Sequence, residues 1–232
     1  MTDPIRLSKR LAELLPCSRR DAELYIENGW VSVAGQVMEE PHARVTDEVI
    51  NLHPDAKPTP VPPVTLLLHK PAGVDEDGAR ALLVPANLAA EQAGERTLRK
   101  HFSRLTQMAP LETRASGLAI FTQAHGVTLR FERPLEEEYT VDVRGEADAE
   151  HLARVARGVE HKGRPLPRAK VSWQSENRLR IALKSPRPGQ LRQICEHLGL
   201  ELLGLRRLRL GGVSAARLQP GQWRYLLPGE KF

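Results

Sequence analysis

The chain is poor in the residues that build redox and metal sites. It has two cysteines, Cys17 and Cys195, which are far apart and form no Cys-x-x-Cys pair. This usage is typical of a reducing compartment and argues against a zinc knuckle. The histidines lack the spacing of a metal site, and no glycine-rich nucleotide-binding motif is present. We therefore expect neither a metal nor a cofactor.

Aromatic residues and long apolar runs are also scarce. Aromatics make up 4% of the sequence, while all hydrophobic residues together make up 41%, so aliphatic side chains must build the core. No run of about 18 apolar residues occurs, and Met1–Arg10 has no apolar signal segment. We expect a soluble, cytoplasmic protein without a membrane span.

The charge balance is moderately basic. The formal net charge is +5, and the sequence pI is about 9.5. A positive excess suits a polyanionic partner such as nucleic acid. It is equally compatible with a solvated basic surface, so charge alone does not decide between the two.

The 232 residues predict a small domain followed by a larger one. Residues 54–63 contain five prolines, which predicts an extended and fairly stiff linker. We therefore predict a first domain at residues 1–53, a linker at 54–63 and a second domain at 64–232. Strands and helices of the second domain do not alternate regularly, which favours an α+β fold with a mixed, mainly antiparallel sheet.

Two helices and several short strands are predicted in the first domain. Ile5, Leu7, Leu11 and Leu14 recur near helical spacing. A second helix begins after Ser18, whose side chain can form a capping box with Asp21, and it ends at Asn28-Gly29. Valines from position 31 onward predict short strands.

The second domain is predicted to mix helices with strands. Helices are expected at 91–102, 147–157 and 191–198. Strands are expected at 64–68, 118–122, 139–143, 168–173, 179–183 and 205–213, and near Trp223.

Basic residues are concentrated in the first two predicted helices: Arg6, Lys9, Arg10, Arg19 and Arg20. Their clustering is what a phosphate-contacting face needs, although a solvated charged face would have the same pattern. The strings around them, Arg6-Leu7-Ser8-Lys9-Arg10, Cys17-Ser18-Arg19-Arg20-Asp21-Ala22 and Ile26-x-x-Gly29-x-Val31-x-Val33-x-Gly35, resemble the RNA-binding domain named after ribosomal small-subunit protein S-four. This resemblance spans nearly all of residues 6–52 and implies that the helical face binds structured RNA.

Four strings in the second domain carry a second resemblance. They are Lys70-Pro71-x-Gly73, Leu111-Glu112-Thr113-Arg114-Ala115-Ser116-Gly117-Leu118, Glu137-Glu138-Tyr139 and Gln190-Leu191-Arg192-Gln193-Ile194. Their order and spacing resemble the pseudouridine synthases of the RsuA and RluF type, and the resemblance covers almost the whole chain. It implies an enzyme that isomerises a uridine in structured RNA, most often ribosomal RNA, without a cofactor.

The resemblance also assigns roles to residues. It implies that Tyr139 stacks on the flipped base, that Arg192 pairs with the catalytic carboxylate, and that Glu112 occupies the position of that carboxylate. The family string reads Gly-Arg-Leu-Asp-x-x-(Ser/Thr)-x-Gly-Leu, so Glu112 is one methylene longer than the usual aspartate. Pro110 and Ala115 replace the string's arginine and hydroxyl residue, and Pro188-Gly189 stands where Asn-Arg is usual.

Three further basic residues are candidates for RNA contacts in the second domain: Lys70, Arg206 and Arg207. Lys70 could instead support its turn, and the run at 206–209 could be a solvated face. The whole chain could also be a family member that kept RNA or ribosome binding and lost the chemistry. A third possibility is that the second domain binds protein.

Overall fold

The computed structural model describes residues 3–232, which form two compact units. The first unit contains the chain up to Pro63 together with Glu95–Arg104. The second unit contains Val64–Gly94 and Leu105–Phe232. The short segment Glu95–Arg104 thus packs with the first unit, although the sequence on both sides of it belongs to the second.

The first unit contains two helices and five short strands. The elements are β1 (Ile5–Arg6), α1 (Leu7–Leu14), α2 (Arg19–Glu27), β2 (Val31–Val33), β3 (Gln36–Met38), β4 (Arg44–Val45) and β5 (Ile50–Leu52). Strand β1 pairs with β4, and β2 is the central strand of an antiparallel β3-β2-β5 sheet. The apolar core consists of Leu7, Leu11, Ala22, Ile26, Val31 and Val45.

The predicted capping box of the second helix is confirmed. The amide of Asp21 donates to the hydroxyl oxygen of Ser18 at 3.1 Å, and the Ser18 amide donates to the Asp21 carboxylate at 3.2 Å. These two bonds satisfy amide groups that the first turn of a helix cannot pair internally. Helix α2 therefore begins directly after Ser18, with Arg19 and Arg20 in its first turn.

The predicted helix at 91–102 is wrong. The chain there forms two short 3₁₀ turns, Ala90–Gln92 and Arg99–Phe102, on either side of an irregular stretch. Gly94 lowers the helical propensity, and contacts with the first unit determine the conformation instead. The amide of Arg99 donates to the Glu39 carboxylate, and the guanidinium of Arg96 lies 4.8 Å from the centre of the Trp30 ring.

Residues 54–63 form no helix or strand. The side-chain amide of Asn28 donates to the carbonyl of Thr59 at 2.7 Å, so part of this proline-rich stretch lies against the first unit. The predicted position of the domain boundary stays a prediction.

Nine strands of the second unit form one sheet. They are β6 (Thr65–Lys70), β7 (Thr106–Met108), β8 (Ser116–Thr122), β9 (Glu136–Arg144), β12 (Ala169–Ser175), β13 (Arg178–Lys184), β14 (Glu201–Leu210), β15 (Val213–Ser214) and β16 (Trp223–Tyr225). The order is β12-β13-β9-β14-β8-β6-β16, with β15 paired to β14 and β7 to β8. A separate hairpin consists of β10 (Glu160–His161) and β11 (Arg164–Pro165). The α+β fold with a mainly antiparallel sheet is confirmed.

Helices of the second unit are short and lie between the strands. They are α3 (Glu76–Ala81), α4 (His125–Arg130), α5 (Ala149–Arg157) and α6 (Gln190–His197). Helices α5 and α6 bury Leu152, Val155 and Ile194 in one cluster with Val141 and Ile181 of the sheet. The predicted helices at 147–157 and 191–198 are therefore confirmed, with ends that differ by one or two residues.

Strands β8 and β14 form the parallel pair at the centre of the sheet, where Arg206 and Arg207 lie opposite Ser116 and Gly117. Gly117 has a φ of 104°, and a Cβ atom at this position would lie 2.2 Å from the carbonyl oxygen of Arg207. Only glycine allows this approach of the two backbones. The contact brings β14 next to the loop that carries Glu112.

Within residues 3–232, none of the helices combines the length and the apolar character that crossing a membrane requires.

Candidate active site

Glu112 lies in the loop between β7 and β8, and two backbone hydrogen bonds shape this loop. The amide of Ala115 donates to the carbonyl of Glu112 at 3.0 Å, and the amide of Gly73 donates to the carbonyl of Thr113 at 2.8 Å. The Glu112 side chain is exposed. Its carboxylate has one backbone partner, because Oε1 accepts a 2.7 Å hydrogen bond from the amide of Gly189.

Gly189 contacts Glu112, and the sequence analysis noted it only as part of the Pro188-Gly189 departure from the family string. It precedes α6 directly and has a φ of 81°, a conformation that favours glycine. Its amide is one of the groups at a helix N-terminus that lack a partner inside the helix, and the helix dipole there favours a negative charge. The signal available in the sequence was a glycine two residues before the predicted helix at 191–198, at the position where the family string usually has arginine.

Tyr139 is buried in the middle of the sheet, on β9, with 3% of its surface exposed. Its hydroxyl donates a 2.5 Å hydrogen bond to Oε2 of Glu137, two residues earlier on the same face of the strand. Burial raises the pKa of the Tyr139 hydroxyl above its ordinary value. The hydroxyl therefore stays protonated and acts as a donor.

A cavity of about 310 Å³ opens beside Tyr139. We call it the Tyr139 cavity; its lining is Met108, Ala109, Pro110, Phe131, Arg133, Leu135, Glu137, Tyr139, Ser185, Pro186, Pro188, Arg207 and Leu210. Mostly apolar walls with a few convergent polar groups are typical of a site for a small planar ligand. Pro110 and Pro188 place the cavity next to the two segments that carry Glu112 and Gly189.

Arg192 lies on the first turn of α6 and is exposed. It lines a second concavity, of about 410 Å³, together with His161, Lys162, Arg164, Gly189, Gln193 and Glu196. The structure thus brings Arg192 and Glu112 to the same helix N-terminus, where Gly189 contacts both regions. The two side chains do not form an ion pair in the part of the chain that the structure describes.

The surroundings of Lys70 favour a role in supporting its turn over the predicted RNA contact. Only 1% of this residue is exposed, and its ammonium group donates to the carbonyls of Pro71, Val74 and Thr113 at 3.1, 2.6 and 3.2 Å. Burial lowers the pKa of Lys70, while Asp75 acts in the opposite direction. The residue ties its own turn to the Glu112 loop, which is the supporting role that the sequence left open.

The basic run at 206–209 divides between faces of the sheet. Arg206 is exposed and remains a candidate for an RNA contact. Arg207 is only 1% exposed and forms a buried ion pair with Glu137, which favours a structural role over the predicted RNA contact. Arg209 pairs with Glu136 and Glu138. The alternation of a strand separates Arg206 from Arg207, and a register shift between Arg207 and Arg209 separates those two residues in turn.

The basic residues of the first unit are accessible on α1 and α2. Arg6, Lys9, Arg19 and Arg20 are exposed, and Arg10 is half-buried. Lys9 and Arg10 approach Glu13, and Arg19 approaches Glu23, each at 3.9 Å. Exposed ion pairs at this distance contribute little to stability, so the basic side chains remain available to a phosphate.

No group of three or more histidine, cysteine or acidic side chains within residues 3–232 is arranged to hold a metal ion. The thiol of Cys195 is buried, and burial raises its pKa to about 11, so it is not a thiolate near neutral pH. The polar groups that converge at the site are therefore carboxylates, arginines, a phenol and backbone amides.

Known proteins resemble this chain along nearly its entire length. The dual-specificity RNA pseudouridine synthase RluF of Escherichia coli K12 is 31% identical over 235 residues, covering 97% of this chain and 77% of RluF. An uncharacterized RNA pseudouridine synthase of Aquifex aeolicus is 27% identical and is covered over 92% of its length. No protein-family model matches the chain.

A crystal structure of a pseudouridylate synthase has the same fold, with a TM-score of 0.57 at 20% identity over 96% of both chains. The sequence match to RluF, which covers 97% of this chain at 31% identity, defines the class as an RNA pseudouridine synthase. The chain belongs to the RsuA/RluF-type family of RNA pseudouridine synthases.

Proposed function

We propose that the chain isomerises one specific uridine in structured ribosomal RNA and that Glu112 is the carboxylate that acts at the sugar. The observation that carries this proposal is the hydrogen bond from the Gly189 amide to Glu112. It holds the carboxylate at the N-terminus of α6, between the Tyr139 cavity and the concavity that contains Arg192. A fixed carboxylate in this place is what bond cleavage at the ribose needs.

The proposed chemistry is an isomerisation that balances without a cofactor. The bond between N1 of uracil and C1′ of the ribose breaks, the base turns, and a bond forms between C5 and C1′. The proton on C5 is lost and N1 gains one. Glu112 acts as nucleophile or base at the sugar, and the Tyr139 cavity holds the base during its rotation.

The base must leave its stack to reach this cavity, because the reacting atoms lie inside folded RNA. Stacking on an aromatic ring contributes about 1–3 kcal/mol per base, and Tyr139 supplies the ring. Arg192 is the cation that approaches Glu112 or an adjacent phosphate once RNA is bound. Its exposed position leaves it free to move onto a ligand.

Binding of the surrounding RNA is assigned to exposed or half-buried basic side chains that can contact phosphates: Arg6, Lys9, Arg10, Arg19, Arg20 and Arg206. Contacts of this kind position an RNA but do not read its sequence. The target uridine is therefore selected by RNA shape and by the fit of the flipped base.

A second candidate function is RNA binding without turnover. It is favoured by one observation, that Glu112 forms no ion pair with Arg192 within residues 3–232 although both lie at the N-terminus of α6. Both functions require RNA binding, and only the first requires Glu112.

The test is to map pseudouridine by mass spectrometry in ribosomal RNA from cells with and without the gene. Cells lacking the gene are then complemented with wild type, Glu112→Ala or Glu132→Ala. Glu132 is an exposed carboxylate outside the site and serves as the control. We expect one pseudouridine to disappear and to return with wild type and Glu132→Ala only. If no ribosomal RNA site changes, the activity on ribosomal RNA is refuted and binding without turnover becomes the better account.

A further inference from the structure

A buried ion pair lies at the floor of the Tyr139 cavity. Arg207 Nη1 and Glu137 Oε2 are 3.0 Å apart, and neither residue exposes more than 5% of its surface. The same carboxylate oxygen accepts the hydroxyl of Tyr139 at 2.5 Å. Arginine and glutamate are rarely buried unless they are paired, so this arrangement has a high cost in desolvation.

A β-bulge directly follows Arg207 in β14. Arg207 pairs with Tyr139 across the strands, and the next registered pair is Arg209 with Glu138, so that Leu208 is the extra residue. Because of the bulge, Arg209 lies on the opposite face of the sheet from Arg207, with Glu138. The same two strands therefore carry one ion pair on the cavity face and another on the far face.

The guanidinium of Arg207 reaches three separate parts of the site. Nε donates to the carbonyl of Leu118 at 2.8 Å, Nη1 to Glu137, and Nη2 to the carbonyl of Ala109 at 2.8 Å. Ala109 is the first residue after β7 and has a φ of 43°, in the left-handed region. A backbone in this conformation persists only where its surroundings hold it, and the bond from Arg207 is one of the contacts that do so.

We propose that the Arg207–Glu137 pair is the positioning element of the site. It fixes the start of the Glu112 loop through the carbonyl of Ala109 and the ring of Tyr139 through its hydroxyl. The inference rests on the proposed function of Glu112 and Tyr139. Arg207 and Glu137 are positioning residues, because they act on the reaction through these two neighbours.

A role in positioning the Glu112 loop and the Tyr139 ring explains why a buried ion pair occupies a space that apolar residues could fill. The planar guanidinium directs its donors along fixed lines, so three acceptors fix its orientation. Removal of Glu137 leaves a buried cation without its counter-charge, and Arg207 must then reorient or admit water. Either change moves Ala109 and frees the Tyr139 hydroxyl.

The experiment compares three variants of the full chain on the RNA that wild type modifies. Glu137→Ala removes the acceptor, while Glu137→Gln keeps an acceptor oxygen of the same reach and loses the charge. Glu138→Ala is the matched control, because Glu138 lies on the same strand and is equally buried, and it pairs with Arg209 and Arg180 on the other face. Displacement of a reacting group by about 1 Å can cost on the order of a hundredfold in rate.

We expect Glu137→Ala to lower kcat about tenfold to a hundredfold while KM and RNA affinity change little. Glu137→Gln restores most of kcat, and Glu138→Ala keeps kcat near wild type even where it lowers the melting temperature. The proposal is overturned if Glu138→Ala lowers kcat as much as Glu137→Ala, or if the glutamine variant is as slow as the alanine variant.

A second readout does not depend on turnover. Hydrogen exchange is followed at the amides of Gly73, Ala115 and Gly189, which donate to the backbone or side chain of the Glu112 loop. We expect faster exchange at these amides in Glu137→Ala and unchanged exchange in Glu138→Ala. If wild type forms no pseudouridine, the proposed function fails, and the exchange rates still decide the inference: equal rates in wild type and Glu137→Ala refute it.

Discussion

At the scale of single residues, the position of a basic side chain determines its role. Lys70 and Arg207 are buried, and each uses its charge to bind backbone carbonyls. Arg19 and Arg20 are exposed at the start of a helix. The first kind of residue holds loops in place, and the second kind is available to phosphates.

Lys70 provides a test of this distinction. Lys70→Met removes the hydrogen-bond donor of the Pro71 and Val74 carbonyls and one of the two donors to the Thr113 carbonyl. This loss should lower the free energy of unfolding by about 2 kcal/mol. Urea unfolding measures this change, and Lys184→Met, at an exposed lysine on β13, is the control. RNA affinity at a temperature where both variants are folded should match wild type. A loss of affinity without a loss of stability would restore Lys70 as an RNA contact.

The sequence selects some residues of the candidate site and misses others for a physical reason. Glu112, Tyr139 and Arg192 stand at fixed places in strings, so a one-dimensional pattern was sufficient to select them. Glu137 lies in a run of three glutamates, which on its own is typical of a solvated strand. Its burial depends on which face of β9 it occupies and on the bulge in β14, and neither is visible in a local pattern.

At the scale of elements, strand β14 organises the site. It pairs with β9 on one side and with β8 on the other, so it lies between Tyr139 and the strand that follows the Glu112 loop. The parallel contact with β8 requires the two backbones to approach closely at Gly117. The side chain of Arg207 then spans from one neighbour of β14 to the other.

Gly117→Ala should disturb this arrangement. The new Cβ would meet the backbone of Arg207, and the positive φ adds strain, so we expect a loss of roughly 2 to 4 kcal/mol in stability. Gly126→Ala on α4 is the control, because nothing lies within 4 Å of that position. It should be neutral or stabilise by up to about 1 kcal/mol. Thermal unfolding compares the two, and an equal effect would contradict the close approach at Gly117.

Elements were predicted well where the local signal was strong. The helix predicted after the cap at Ser18 and the strands predicted at 139–143 and 179–183 are the correct element types. The helix prediction for residues 91–102 failed because Arg96 and Arg99 contact other residues of the first unit and the segment does not form a helix. Long-range contacts of this kind override local propensity.

At the scale of the whole molecule, two compact units supply different parts of the proposed function. The first carries the exposed arginines of α1 and α2, and the second carries Glu112, Tyr139 and Arg192. The net charge of +5 is small, so RNA binding depends on where the basic residues lie. Binding and chemistry should therefore respond to different substitutions.

RNA affinity should fall as the salt concentration rises, and phosphate contacts made by α2 should account for part of this fall. Arg19→Glu combined with Arg20→Glu should weaken binding and reduce the slope of log K against log salt by about 2, because each phosphate contact contributes roughly one unit. The control is the double variant Arg144→Glu and Arg178→Glu, which reverses the charge of two surface arginines that pair with Glu201 and Asp142. Filter binding over a salt series measures both slopes. Equal slopes for the two double variants would rule out α2 as the phosphate-contacting face.

The most direct measurement of the central claim is a single-turnover tritium-release assay with C5-labelled RNA that carries the target uridine. Wild type is compared with Glu112→Gln, which keeps the length of the side chain and removes its negative charge. The account predicts tritium release by wild type, none above background by Glu112→Gln, and equal RNA affinity for both. Release by Glu112→Gln at the wild-type rate would contradict the assignment of Glu112 as the catalytic carboxylate.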